Sequence, residues 1–204
     1  MDIKNDNLYF LPLGGSGEIG MNCNLYHYKG KWIMIDLGVM FSNSDIEPYE
    51  VLMPDIDFII KRKKDLSAII LTHAHEDHIG AVPYLYSEFG DTPIYTTSFT
   101  ASVLKRKFDS NQNSNLNLKL FEYNKSFNIG FFSVQICSLT HSIPEPNAVI
   151  LKTEKGNIFH TGDWKIDPNP LVGSPIDENE IKEICNDGIT AVSYTHLTLP
   201  TKCW

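Results

Sequence analysis

The stretch Leu71-Thr-His-Ala-His-Glu-Asp-His-Ile-Gly80 carries four side chains of metal-ligand type, His73, His75, Asp77 and His78, within six residues. Imidazole nitrogen and carboxylate oxygen together suit zinc, manganese or iron. Three of the seven histidines of the chain fall in this one stretch beside an aspartate, so an incidental polar loop is a poor account of it.

A metal site needs rigid elements on either side. The apolar run Leu66–Leu71 reads as a buried strand feeding the ligands, and apolar residues at helix-like intervals follow from Ile79 to Phe89. The ligands are therefore expected on a loop between a strand and a helix start, with Pro83 in the first turn of the helix over Val82 to Phe89. Three further polar residues end apolar runs. Asp36 closes Trp32-Ile-Met-Ile-Asp-Leu37, His141 follows Phe131 to Leu139, and Asp163 follows Gly156 to His160. One such residue is usually incidental. Four polar strand ends, counting the histidine loop, argue for convergence on one site. Asp36 is either a turn residue or an outer carboxylate that orients a metal ligand.

Gly15, Gly17 and Gly20 satisfy the dinucleotide-binding spacing G-x-G-x-x-G, with Asp36 at a distance suited to a ribose contact. That fingerprint requires a helix directly after the glycines. Here Cys23–Tyr28, a Lys29-Gly30 turn and Trp32–Leu37 read instead as two adjacent strands. The dinucleotide reading is rejected, and a strand-to-strand loop close to the site is expected. Elsewhere the pattern predicts a strand at Leu8–Leu13, an irregular loop over residues 39–55 and a short basic helix at Phe58–Lys64. It predicts a strand at Pro93–Thr96, a helix at Ser98–Phe108 and an asparagine-rich loop at Asn111–Asn117. Strands follow at Leu118–Tyr123 and Phe127–Gly130, then a hairpin from Ala148–Lys152 and Gly156–His160. A helix at Asp177–Cys185 and a strand beginning at Ile189 complete the pattern.

With 204 residues the chain can build one domain with a sizeable core. The net charge of −8, from 17 basic and 25 acidic residues, does not by itself favour a nucleic-acid partner. The basic runs Lys61–Lys64 and Lys105–Lys107 suit solvated helix faces as well as phosphate contacts. No apolar run is long enough to span a membrane, and the polar N-terminus lacks the core of a signal peptide, so a cytoplasmic location is expected. Cys23, Cys137, Cys185 and Cys203 form no Cys-x-x-Cys pair and read as neutral buried thiols. The tail from Val192 to Trp204 resembles one reading frame of a transposase adapter used in sequencing-library construction. It is expected to lie outside the natural fold, leaving residues 1–191 as the domain and His196 and Cys203 outside the site.

His73-x-His75-x-Asp77-His78, with Asp36, His141 and Asp163 in order, resembles the metallo-β-lactamase superfamily. Gly17-Glu-Ile-Gly-Met21, Thr140-His-Ser-Ile-Pro-Glu145 and Thr161-Gly-Asp-Trp-Lys-Ile-Asp167 narrow the resemblance to the bacterial ribonuclease J family in the β-CASP nuclease branch. The resemblance covers about residues 8–191. It implies an α+β fold, the αββα sandwich, cut before the β-CASP domain. It also implies two divalent metal ions, zinc first, with manganese or magnesium as alternatives. His73, His75 and His141 would bind one ion, Asp77 and His78 the second, and Asp163 would bridge them with Asp36 in support. The family completes its second position with a histidine beyond the β-CASP insertion, for which this sequence has no counterpart.

The implied activity is hydrolysis of single-stranded RNA, both endonucleolytic and 5′–3′ exonucleolytic, with Asp77 and Asp163 orienting the attacking hydroxide. The implied partners are single-stranded RNA and, at full length, further copies of the chain; no membrane is implied. This chain alone is expected to hold at most one metal tightly, to be poorly soluble and to have negligible nuclease activity. The alternatives are a small-molecule hydrolase of thioesters or lactams, and an inactive RNA-binding scaffold subunit.

Overall fold

The computed structural model describes residues 3–41, 51–109, 116–122 and 125–194. The strands, in chain order, are β1 (Tyr9–Gly14), β2 (Cys23–Tyr28), β3 (Lys31–Ile35), β4 (Met40–Phe41), β5 (Val51–Leu52), β6 (Leu66–Ile70), β7 (Ile94–Thr96) and β8 (Leu118–Leu120), then β9 (Ser126–Ile129), β10 (Phe132–Ser138), β11 (Asn147–Thr153), β12 (Gly156–His160) and β13 (Ala191–Ser193). The helices are α1 (Asp57–Ile60), α2 (Glu76–Ile79), α3 (Val82–Leu85), α4 (Ser98–Asp109) and α5 (Glu178–Cys185).

Two sheets face each other. One runs β1-β2-β3-β6-β7-β8, the other β13-β12-β11-β10-β9, and β4 and β5 form a separate two-stranded pair. Strand alternation sorts the side chains into layers. On β2 and β3, Tyr26, Tyr28, Ile33 and Ile35 point between the sheets and meet Phe132, Val134, Ile136 and Val149. Leu25, Trp32 and Met34 point the other way, onto Ile59 of α1, Val82 of α3 and Leu104 of α4. The outer face of the second sheet gives Leu139, Ala148 and Ile150 to Ile184 of α5. The result is a four-layer αββα sandwich. It also explains why β2 is buried at every position: both of its faces are covered.

Topology places four strand ends together. β3 and β6 are parallel neighbours, so both carboxyl ends, Ile35 and Ile70, lie on the same edge. β10 and β12 each pair antiparallel with β11, so they share a direction too. Asp36, the His73–His78 segment, His141 and Asp163 each leave one of these four ends.

Several boundaries differ from the sequence reading. The helix expected over Val82–Phe89 is one α-turn, α3, continued by a 3₁₀ turn at Tyr86–Phe89. The basic helix expected at Phe58–Lys64 splits into α1 and a 3₁₀ turn at Lys63–Asp65. The ligand segment is not wholly loop, because Asp77 and His78 lie in α2, a single turn closed by His78 N and Ile79 N donating to His75 O at 3.0 Å each. Local hydrogen bonding, which apolar spacing does not report, sets these ends. The stretch read as an irregular loop over residues 39–55 contains the β4–β5 pair; residues 42–50 of it and 111–115 of the asparagine-rich loop lie outside the described residues. β13 includes Val192 and Ser193, the first residues of the expected tail. They run parallel to Phe159 and His160, while residues 195–204 lie outside the described residues. No helix among the described residues is long and apolar enough to cross a membrane.

Phe132 is fully buried between the sheets and meets the Tyr28 ring edge-on at 6.2 Å. Phe132→Ala is expected to cost about 3–5 kcal/mol, the usual loss for a large aromatic side chain removed from a packed core. Urea unfolding of the metal-free protein measures it, and a loss below about 1 kcal/mol would mean that the sheets do not pack through this residue.

Candidate metal centre

The site is built on Asp36. It directly follows β3 and is fully buried, with a left-handed backbone at φ 63°. Aspartate tolerates that conformation better than most residues. The bend turns the carboxylate onto the start of the ligand loop. Thr72 N donates to Oδ1 at 2.8 Å, and Thr72 Oγ1 donates to Oδ2 at 2.9 Å. His78 Nδ1 lies 2.7 Å from Oδ2. The Thr72 hydroxyl, having given its proton to Asp36, accepts from His73 Nδ1 at 3.0 Å. One carboxylate thereby places protons on Nδ1 of both His73 and His78 and leaves each Nε2 facing the cavity.

Around those nitrogens the remaining residues converge. His73, His75 and His141 each bring one ligand atom within 4.8 Å of the other two, and so do His73, His78 and Asp163. His73 Nε2 is 3.0 Å from His75 Nδ1. The His75 and His141 rings lie 4.8 Å apart, and the His73 and His78 rings 4.0 Å apart. Asp163 stands between the two groups: Oδ1 is 3.4 Å from His78 Nε2, and Oδ2 is 3.9 Å from His141 Nε2. Asp77 stands outside both groups, with Oδ2 3.5 Å from His78 Nε2.

Three further contacts lock the loops. Asn147, at the start of β11, donates through Nδ2 to Thr72 O and so ties the His141 loop to the His73 loop. Gly162, at φ 56°, lies against both: an added Cβ would sit 3.2 Å from Asn147 O and 3.3 Å from Thr72 Cβ. Glu145, also left-handed at φ 56°, ends the His141 loop by accepting from Phe99 N at 2.8 Å and from Ser98 Oγ at 3.1 Å. A carboxylate at the first turn of α4 is favoured by the unpaired N–H groups there. The last turn of α4 returns to the ligand loop through the Lys107–Glu76 ion pair.

The electrostatics suit a cation. Burial lowers His73 well below the usual imidazole range, and the neighbouring charge of His78 adds to this. Burial also lowers His75 and His141. All three are therefore neutral, ligand-ready imidazoles at neutral pH. For His78, burial pulls downward, but the charge of Asp36 and hydrogen bonds to Asp163, Asp36 and Asp77 overcome it and hold the ring well above its ordinary value. Asp77 is held low: burial raises it, but the hydrogen bond and charge of His78 outweigh burial. His141 Nδ1 is buried with no hydrogen-bond partner among the described residues. A set of neutral imidazoles that face chiefly one another, with a carboxylate at the junction, fits zinc better than it fits an apo polar core.

All seven candidates, Asp36, His73, His75, Asp77, His78, His141 and Asp163, lie in this one region, although Asp77 is set back from the tight groups. Sequence reasoning missed Asn22, Thr72 and Asn147. Thr72 and Asn147 are polar residues at the ends of apolar runs, a weak signal that many surface residues share. Asn22 follows the glycine loop, which runs between β1 and β2 without a helix. A separate groove of about 550 Å³, lined by Leu139, Phe159, Trp164, Ile166, Ile176 and Ile181, contains none of the candidate ligands.

Residues 17–177 match the family model of the metallo-beta-lactamase superfamily. The chain belongs to that superfamily. Within it, the chain is 42% identical over 195 residues to a protein named Ribonuclease J from Sinorhizobium meliloti, covering 93% of this chain and 34% of the relative. It is 33% identical over 175 residues to Ribonuclease J of Thermus thermophilus, covering 82% and 30%, and 37% identical over 168 residues to that of Helicobacter pylori, covering 81% and 24%. The chain thus spans about a third or less of the length of these curated relatives. Among solved metallo-beta-lactamase folds, Zn(2+)-bound PqqB from Methylobacterium extorquens aligns with a TM-score of 0.60 at 15% identity, over 85% of this chain and 59% of that one. Human tRNase Z, short form, aligns with a TM-score of 0.54 at 15% identity, over 86% and 73%. At those identities the structures support the fold alone.

Two outcomes follow from this geometry. Gly38 packs so closely on α2 that an added Cβ would lie 1.7 Å from Asp77 O. Gly38→Ala must therefore push α2 and its two candidate ligands aside, an overpacking cost of at least about 1–3 kcal/mol. Thermal melts and zinc titration are both expected to show the loss, and an unchanged zinc affinity would refute the placement. His160 is fully buried, and burial pushes its imidazole down to about 4 from the ordinary 6.5. Between those values the unfolded chain takes up a proton that the folded chain resists. This stability is therefore complete above about pH 6.5 and is lost as pH falls towards 4. Urea midpoints of metal-free protein from pH 4 to 8 should show a shallower slope across that window in His160→Gln than in the parent.

Proposed function

We propose that this chain is the metal-binding portion of a cytoplasmic ribonuclease that hydrolyses phosphodiester bonds in single-stranded RNA. The observation that carries this reading is Asp163, whose two carboxylate oxygens face His141 Nε2, grouped with His73 and His75, on one side and His78 Nε2, beside Asp77, on the other. The similarity to proteins named Ribonuclease J, at 42% identity over 93% of the chain, supports RNA as the substrate over a small thioester or lactam. On this reading the whole protein cuts RNA both internally and from the 5′ end, with further copies of the chain as a proposed partner at full length.

His73, His75 and His141 would hold one divalent ion, zinc first, and Asp77, His78 and Asp163 would hold the second. A metal pair bound here supplies a water whose pKa is lowered towards ~7 and positive charge for the phosphate oxygens. The protein groups do the rest. Asp163 faces both positions at once, so it would orient the attacking water from the junction of the two groups. Asp77, held ionised beside His78, orients that nucleophile from the rim. Asp36 keeps the His78 ring from rotating when phosphate arrives. Close preorganisation of this kind reduces the reorganisation needed at the moment of reaction.

The test uses the full-length protein that contains this chain, with labelled single-stranded RNA, and compares the parent with Asp163→Ala. Removing the shared carboxylate is expected to lower cleavage by at least about 100-fold, since even groups that only orient a ligand are worth about 10–100-fold. Bound zinc, measured by elemental analysis, should fall with it. Hydrolysis of a thioester or lactam with no RNA cleavage would overturn the assignment.

A further inference from the structure

Asn22 is the best-connected polar residue at the site that carries no assigned role. It is buried, 2% exposed, at the end of the glycine loop. Its main-chain N donates to Asp77 O at 2.9 Å, and its Nδ2 donates to the same oxygen at 3.1 Å. Nδ2 also lies 3.4 Å from Asp77 Oδ2 and 3.1 Å from His78 Nε2. Its main-chain O accepts from Gly38 N at 2.9 Å. Oδ1 is buried with no hydrogen-bond partner among the described residues. A side chain that only filled space would not donate to the main chain of Asp77 while lying within 3.4 Å of its carboxylate and 3.1 Å of the His78 ring nitrogen.

The glycine loop explains how the amide reaches that place. Gly15 is left-handed at φ 80°, and a Cβ there would lie 2.2 Å from Asn22 Oδ1. A side chain at position 15 would occupy the volume that the Asn22 amide needs. The spacing that mimics a dinucleotide fingerprint thus has a different physical cause: the loop makes room for one asparagine beside the ligand turn.

We propose that Asn22 is a positioning residue that fixes Asp77 and His78 for the second metal position, and that Gly15 is required because it admits the Asn22 amide. This inference rests on the metal reading above but concerns residues absent from it. A donor at Asp77 O stops the α2 turn from rotating, and a donor at Asp77 Oδ2 sets the direction of the carboxylate. The group of His73, His75 and His141 makes none of these contacts, so the effect should be confined to one of the two positions.

The experiment is zinc titration by calorimetry on the 204-residue chain, comparing the parent, Asn22→Ala, Asn22→Ser, Gly15→Ala and the Gly15→Ala/Asn22→Ala double variant. Thermal melts of each metal-free protein establish folding. The stronger zinc event, assigned to His73, His75 and His141, should change by less than about twofold. The weaker event should lose about 10–100-fold in each single variant, the range for groups that orient metal ligands. The double variant should lose no more than Asn22→Ala, because Gly15 acts through Asn22. Amide hydrogen exchange on the metal-free proteins is the second readout: the Gly38 and His78 amides should exchange faster in the Asn22 variants. Equal weakening of both events in a folded variant would overturn the proposal, as would unchanged affinity with unchanged exchange. If the parent takes up no zinc at all, the metal reading fails by itself, and the exchange arm still decides whether Asn22 holds the Asp77–His78 turn.

Discussion

A carboxylate with no access to water must find partners inside the protein, and this constraint on Asp36 organises the site. An unpaired charge there would cost several kcal/mol, so the chain supplies a backbone N–H and a hydroxyl from Thr72 and a ring nitrogen from His78. Those partners lie at the two ends of the ligand segment, so satisfying one carboxylate fixes both. The bend at Asp36 that makes this possible also returns the chain to Gly38, which must be bare for α2 to pack on it. Stability and ligand geometry are here the same contacts.

The sandwich supplies the second half of the arrangement. Parallel β3 and β6 bring Asp36 and the histidine loop to one edge, and co-directional β10 and β12 bring His141 and Asp163 to face them. Bridging contacts between the sheets are few and specific. Asn147 to Thr72, Tyr26 Oη to His160 Nδ1 at 2.9 Å, and Glu145 on the first turn of α4 hold the two halves in register. Glycine serves this closeness at positions 38 and 162, where backbone must meet backbone.

The charge pattern follows from burial. The three imidazoles of the first group are pushed towards neutrality chiefly by desolvation, which is also what a metal requires of them. The carboxylates Asp36, Asp77 and Asp163 surround His78 from three sides and favour positive charge at that point. The net charge of −8 is an average over the whole chain and does not describe this local pattern.

The sequence by itself determined the inventory of candidate ligands. His73, His75, Asp77 and His78 were legible because six residues hold four ligand types, and Asp36, His141 and Asp163 because each ends an apolar run that alternation marks as a strand. The rejection of a dinucleotide site was legible too, since no helix can fit between Gly20 and the strand at Cys23. Only the tertiary structure decided which residues pair. Asp163 faces both groups and Asp77 is set back, and nothing in one-dimensional spacing encodes either fact. Asn22, Thr72 and Asn147 remained hidden because their importance lies in a single hydrogen-bonding direction. That direction exists only once β2, β6 and β11 have been brought to the same edge by packing that their own residues do not specify.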